Sequence, residues 1–383
     1  MNFSRRHFVL GSLALPALAA KKAAGETPHI VLILADNLPS FLLGCYGNKE
    51  ILTPHIDRLA QTGTRFLTHV AGATTPAPAR AALLTGTPSG SGIAIDKLLA
   101  SAGYTPQSAN SGADAVKFLD GQSAPKPFLL TVSLTGFAPP YSAGANFLQR
   151  YASARFDTME QAPPAANIAA GQDMFGANLL TSLRKAAAAV TAIDEEVGAI
   201  SARLSQKKLL DNTLIIFTAP TGSLIGRHGL WGGAAASNPP NCFDEVITTP
   251  LIWTWPARIT PLGVRPELVS AFDLLPTLCD LTPAEPPSTN LPGRSYLPLA
   301  EGKPLPKKQP WRSTAFLTSG NTGVARDDRY KLVLRNDGKG PNELYDLKAD
   351  ARERVNQFDN PQFLTVKTQL TGEWNRWKQK NAA

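Results

Sequence analysis

Cysteine is scarce in this chain, with three residues among 383: Cys45, Cys242 and Cys279. The count is odd, the spacings are wide and no CxxC pair occurs. That excludes a disulfide framework and a thiolate metal centre, and it predicts three buried free thiols. Runs of one charge are missing too. The formal charge is +8, yet basic residues never cluster beyond pairs such as Lys207–Lys208 and Lys307–Lys308. No nucleic-acid-binding module is present, so a nucleic-acid partner is excluded. The basic excess leaves a mild bias toward anionic ligands. There is no internal repeat. No apolar run beyond the N-terminus is long enough for a membrane helix, so no integral membrane segment is expected after signal removal.

What is present is an ordinary globular composition, 43% hydrophobic and 18% charged, enough to bury a substantial core. Proline is frequent at 32 residues and concentrates in connecting segments, which predicts long ordered loops. The N-terminus reads as a targeting segment. Ser4-Arg5-Arg6-His7-Phe8-Val9 leads into a short apolar stretch ending in small residues at Ala20. That is the shape of a signal peptide, and paired arginines before Phe8 fit the twin-arginine type better than an ordinary secretory one. Residues 1–20 are therefore expected to direct export to the periplasm or outside the cell.

The rest alternates strands with helices. His29-Ile-Val-Leu-Ile-Leu-Ala35 is a continuous apolar run ending at Asp36, the pattern of a strand buried on both faces of a parallel sheet. Thr53 and Pro54 open a helix as N-cap and first residue. Arg80 to Thr85 form a second helix closed by Gly86. Residues 127–134 and 213–218 are further strands, and residues 175–207 carry apolar side chains at helical spacing. From about residue 311 short alternating segments and an amphipathic helix bearing Leu370 and Trp374 imply a small α+β subdomain. The predicted organisation is an α/β domain over residues 27–310 and a C-terminal unit over 311–383.

In order along the chain, several segments carry a resemblance. They are His29 to Asn37, Leu43-Gly44-Cys45-Tyr46-Gly47, Ala77-Pro78-Ala79-Arg80 to Gly86, and His228-Gly229-Leu230-Trp231-Gly232. They continue with Asp273 to Leu278, Leu291-Pro292-Gly293-Arg294, Asp328 to Leu332 and Glu343 to Leu347. Together they resemble the sulfatase family of the alkaline phosphatase superfamily over nearly the whole mature chain. The resemblance implies an α/β sandwich with a central, mostly parallel sheet and a small C-terminal α+β subdomain.

It also implies a chemistry that these residues do not supply. Sulfate monoesters need an activated nucleophile, a divalent cation and surrounding cationic groups. The family makes its nucleophile from the first residue of Cys/Ser-x-Pro-x-Arg, converted to formylglycine. Aligned on Pro78 and Arg80, that position is Pro76, which has no oxidisable side chain. A cation such as calcium, expected for an active member, wants six or more oxygens, several from carboxylates. The family places two acids after the first strand, where Asp36 and Asn37 stand. It places an Asp-His or Asp-Asn pair after the second, where Pro220 and Thr221 stand. Its lysines and histidines align with Pro106 to Asn110, Ala138 and Gly233.

Each remaining candidate has a structural reading beside the functional one. Asp36 is either a loop acid or a remnant metal ligand, and Asn37 reads as a turn residue beside it. Arg80 reads as an ion-pair partner near a helix start, with anion binding as the alternative. His228 reads as loop packing, with substrate binding as the alternative. Thr75 is one residue from the nucleophile position, and a threonine serves as nucleophile elsewhere in the superfamily, but without a metal its hydroxyl is weak. The expected function is an exported, catalytically inactive sulfatase-like protein binding a sulfated or anionic glycan. The alternatives are a divergent sulfuric or phosphoric ester hydrolase and an interaction partner of an active sulfatase.

Overall fold

The computed structural model describes residues 27–123, 126–159, 169–170, 179–287, 290–305 and 308–381. The predicted export signal lies outside them. The first half runs β1 (His29–Ala35), α1 (Pro54–Gln61), β2 (Thr64–Val70), α2 (Pro76–Thr85), α3 (Ile95–Ser101), β3 (Thr105–Ala109), α4 (Gly112–Asp120), β4 (Phe128–Leu134), α5 (Ala145–Gln149) and β5 (Ala169–Ala170). It continues with α6 (Leu179–Gln206), β6 (Thr213–Thr218), β7 (Ser237–Asn238), α7 (Asp244–Ile247), β8 (Thr248–Thr254), β9 (Gly263–Arg265), β10 (Val269–Ser270), α8 (Leu274–Leu281) and α9 (Leu297–Ala300). The chain ends with β11 (Ala315–Ser319), β12 (Thr322–Arg326), β13 (Tyr330–Leu334), β14 (Glu343–Asp346) and α10 (Leu364–Asn381).

The large sheet has the order β10-β2-β8-β6-β1-β4-β3, with β9 paired to β2. β1 is central and parallel to β4 and β6, while β8 is antiparallel to both its neighbours. Every residue of β1 is buried, because alternate side chains enter two separate cores. Val31, Ile33 and Ala35 pack with α1, α4 and α6, and Ile30, Leu32 and Leu34 pack on the other face with α3 and α8. The result is the expected three-layer α/β/α sandwich with a mostly parallel sheet.

Three local expectations change. Thr53 stands at the start of α1, yet its hydroxyl accepts from the Gly44 N–H at 2.9 Å and donates to Asp57. The exposed helix donors are met from another helix. Asp194 of α6 is fully buried and accepts from the His55 and Ile56 N–H groups at 3.1 and 2.7 Å. Burial pushes its carboxyl up to about 6, and the two amides pull it back only in part. The second helix begins at Pro76, a turn before Arg80, because proline fits the first helical position with Thr75 extended before it. Of the three thiols only Cys242 is buried, and Cys45 and Cys279 are half-buried.

The C-terminal sheet is antiparallel in the order β11-β12-β13-β14. α10 lies on it through Leu370 and Trp374, and a Cβ at Gly323 would collide with the Trp374 ring. Trp377 stacks on Phe316 and on Phe272 of the sandwich, at centroid distances of 5.4 and 6.0 Å. The neighbouring Asp273 is fully buried and accepts from the Arg294 N–H at 2.7 Å and from Arg312 at 2.6 Å. A Cβ at Gly293 would strike the Phe272 carbonyl. These later sequence landmarks thus hold one joint of the scaffold.

Candidate functional site

The C-terminal ends of β1, β4 and β6 lie side by side, where a parallel sheet presents its ligand crevice. Asp36 follows β1 directly, its N–H donating to the Leu134 carbonyl at 3.0 Å. Arg80, one turn into α2, reaches across with both terminal nitrogens. One donates to Asp36 Oδ1 at 2.7 Å and the other to the Ser133 hydroxyl at 2.7 Å. The pair is partly open to solvent, at 26% for the Arg80 side chain and 17% for Asp36.

Asn37 turns the chain with φ at 60°, a left-handed geometry that asparagine tolerates. Its Nδ2 donates to the Phe137 carbonyl at 3.3 Å, and its Oδ1 accepts from the Thr221 hydroxyl at 3.4 Å. Ser223 anchors its carbonyl at 2.8 Å. Pro220 and Thr221 are buried in the turn after β6. Asp36, Asn37, Arg80 and Thr221 therefore meet at one corner. Thr75 and Pro76 stand at the start of the helix that delivers Arg80.

That helix start has few donors. Its first turn is Pro76-Ala77-Pro78, and proline has no N–H. The Ala79 N–H is already bonded to the Thr75 carbonyl at 3.0 Å. Only the Thr75 and Ala77 amides remain to face a negative oxygen. Thr75 is half-buried, while Pro76, Ala77 and Pro78 are exposed.

A family dication can be tested against this donor set. Calcium needs several carboxylate oxygens, and the corner offers one carboxylate with a guanidinium 2.7 Å away. The Asn37 amide oxygen is engaged by Thr221. Among the described residues no group of three or more His, Cys, Asp or Glu side chains is arranged to hold a metal. A cation beside Asp36 would have to displace or repel Arg80. The residues do not fit a divalent metal.

His228 lies apart from these hydrogen bonds. It is 3% exposed, stacked on Phe243 at a centroid distance of 3.6 Å, with Nε2 at 3.3 Å from Glu245. Burial would raise the Glu245 carboxyl, but His228 and Arg227 outweigh it and hold it below its usual range. His69 is also buried, bonded to Thr249 at 2.8 Å, and burial pushes its imidazole down to about 3.

Two contributors went unnoticed in the sequence. Ser133 is the last but one residue of β4, so the strand-end rule could have found it. Ser319 of β11 accepts from the Thr74 hydroxyl at 2.7 Å, bringing the C-terminal subdomain beside the helix start. No sequence signal marks that contact.

The chain matches the Sulfatase family over residues 28–99 and 103–284. It belongs to the sulfatase family, within the alkaline phosphatase superfamily. Residues 241–380 match the N-sulphoglucosamine sulphohydrolase C-terminal family. Human arylsulfatase A is 28% identical, the alignment covering 89% of this chain and 85% of that one. An ulvan-active sulfatase of Formosa agariphila is 24% identical over 94% of this chain and 82% of its own length. The fold is shared with a protein solved in complex with its substrate D-glucosamine-2-N,6-O-disulfate, at a TM-score of 0.80 and 19% identity, over 93% of this chain and 98% of that one. A phosphonate monoester hydrolase of Agrobacterium radiobacter superposes with a TM-score of 0.81 and 19% identity, over 92% and 96%.

Proposed function

We propose that this sulfatase-family protein does not hydrolyse sulfate esters and instead binds an anionic, sulfated glycan in the crevice above β1. Pro76 carries the reading. It occupies the position the family uses for its formylglycine and has no side chain that can be oxidised to one. The Asp36–Arg80 pair supports it from the metal side, since a guanidinium stands where a dication would need room. Arg80 is the cationic group that remains for an anion, and its guanidinium is partly exposed. A structural neighbour was solved with a disulfated glucosamine, which supports the ligand class.

Export belongs to the same reading. Arg5, Arg6 and Phe8, followed by a short apolar stretch, support twin-arginine transport to the periplasm or beyond, which carries folded proteins. The test is binding of heparin-derived oligosaccharides to the mature protein by calorimetry, with Arg80→Ala alongside. Binding weakened about tenfold by the substitution is expected, a loss of about 1.4 kcal/mol. No binding at low salt, or binding indifferent to Arg80, would remove the glycan part of the proposal.

A further inference from the structure

An apolar hollow lies at the far end of the large sheet from the crevice. β8 runs antiparallel to β6, and its last residue, Thr254, pairs with Ile215 near the start of β6. Asp36, by contrast, follows the C-terminal end of the parallel strand β1. After Thr254 the chain arches over α1 and α6 and encloses a cavity of about 340 Å³. From α1 and its cap come His55, Arg58, Leu59 and Thr62, which share one face of the helix. Leu59 and Ile259 are the buried part of the lining, at 5% and 3% exposure.

The hydroxyls around the cavity have already given their protons to the backbone. Thr62 donates to the Arg58 carbonyl at 2.9 Å, Ser201 of α6 to the Val197 carbonyl at 3.0 Å, and Thr254 to the Leu59 carbonyl at 2.8 Å. Water gains little in such a place, and an apolar guest can displace it.

The rim carries one uncompensated cation. His55 and Arg58 are both exposed. The His55 ring lies against α6 where Gly198 leaves room, since a Cβ there would come within 2.6 Å of the ring. Its Nε2 is 3.8 Å from Glu195, which Arg150 also holds at 2.9 Å. Arg58 has no such neighbour. Asp57 turns away from it, accepting from the Cys45 N–H at 2.6 Å and from the Thr53 hydroxyl at 3.1 Å. Among the described residues no carboxylate forms an ion pair with Arg58.

We propose that this hollow is a second ligand site, separate from the crevice, for a small apolar monoanion. The body of the ligand is an aryl or alkyl group inside the cavity, and its head is a carboxylate or sulfonate on Arg58. A cavity of about 150 Å³ holds one benzene ring, so this one has room for two fused rings. Burying them supplies affinity. The planar guanidinium, with its fork of N–H donors, suits an anionic head and selects against a cationic one. The site owes nothing to the glycan reading of the crevice.

Calorimetry of the full mature chain with 2-naphthalenesulfonate tests this. Saturable binding of one molecule with Kd below about 1 mM is expected. Arg58→Gln should weaken it at least about fivefold, the effect of losing one part-exposed ion pair. Ser201→Phe, which fills the hollow with a ring, should weaken it at least about tenfold. Arg80→Ala, at the other end of the sheet, should leave it within about twofold. Absence of saturable binding overturns the proposal, as does binding that ignores Arg58 or follows Arg80. Arg58 is exposed, so its variant decides the matter even if Ser201→Phe does not fold. Equal affinity for 2-naphthalenemethanol, which has the rings without the charge, would make this a neutral apolar pocket and overturn the anion assignment.

Discussion

At the end of β1, one carboxylate faces one guanidinium with solvent at their side. Beneath β13 runs the seam between the sandwich and the C-terminal sheet. There Glu245 and Glu353 are buried and Asp244 is partly exposed, all three among lysine and arginine, with Lys331 and Glu353 at 0% exposure. Both regions are built from charged side chains, and both sit at landmarks of the family. The difference lies in what the charges are for. In the seam they hold two layers together, and removing one strands its partner in a dry interior. In the crevice Asn37, Thr221 and Ser223 close the strand ends through ordinary hydrogen bonds. Under the proposed function, the crevice has lost its chemistry while the scaffold keeps its own polar joints.

The comparison breaks most visibly in the seam. Lys331→Met should cost about 3–5 kcal/mol in denaturant unfolding, because it removes the cation paired with the buried Glu353 carboxylate. A loss below about 1 kcal/mol would mean that the seam is wet or mobile. Asp194→Ala should cost about 2 kcal/mol, since two amide donors of α1 lose their acceptor. At the crevice, Arg80→Ala should cost less than about 1 kcal/mol, because the pair is part-exposed and screened. A loss as large as that of Lys331→Met would erase the contrast between the two regions. The smallest expected effect is on turnover. Introducing Pro76→Cys, Pro220→Asp and Thr221→Asn together should yield no aryl-sulfate hydrolysis, because the family's lysines and histidines are expected to align with Pro106 to Asn110, Ala138 and Gly233.

Much of this was legible in the residues. The unbroken apolar run of β1 announced a central strand, and the ordered segments from His29 to Leu347 announced the family. The crevice was legible because strand ends are predictable places, so Asp36, Asn37, Pro220 and Thr221 could be assigned to one corner. The seam was not. Asp244, Lys331 and Glu353 come from three separate segments, and nothing in their spacing says that they meet. The cap on α1 was hidden for the same reason. Thr53 has the right type and position, but a carboxylate 139 residues away in sequence from His55 takes the role. Local pattern predicts local bonds, and long-range polar contacts are set by packing.

The most direct measurement is turnover of aryl sulfates and aryl phosphates by the purified mature protein, with calcium added. Hydrolysis at the background rate is the expected result. Clear turnover that disappears in Thr75→Ala would contradict it, and would place a working nucleophile beside Pro76.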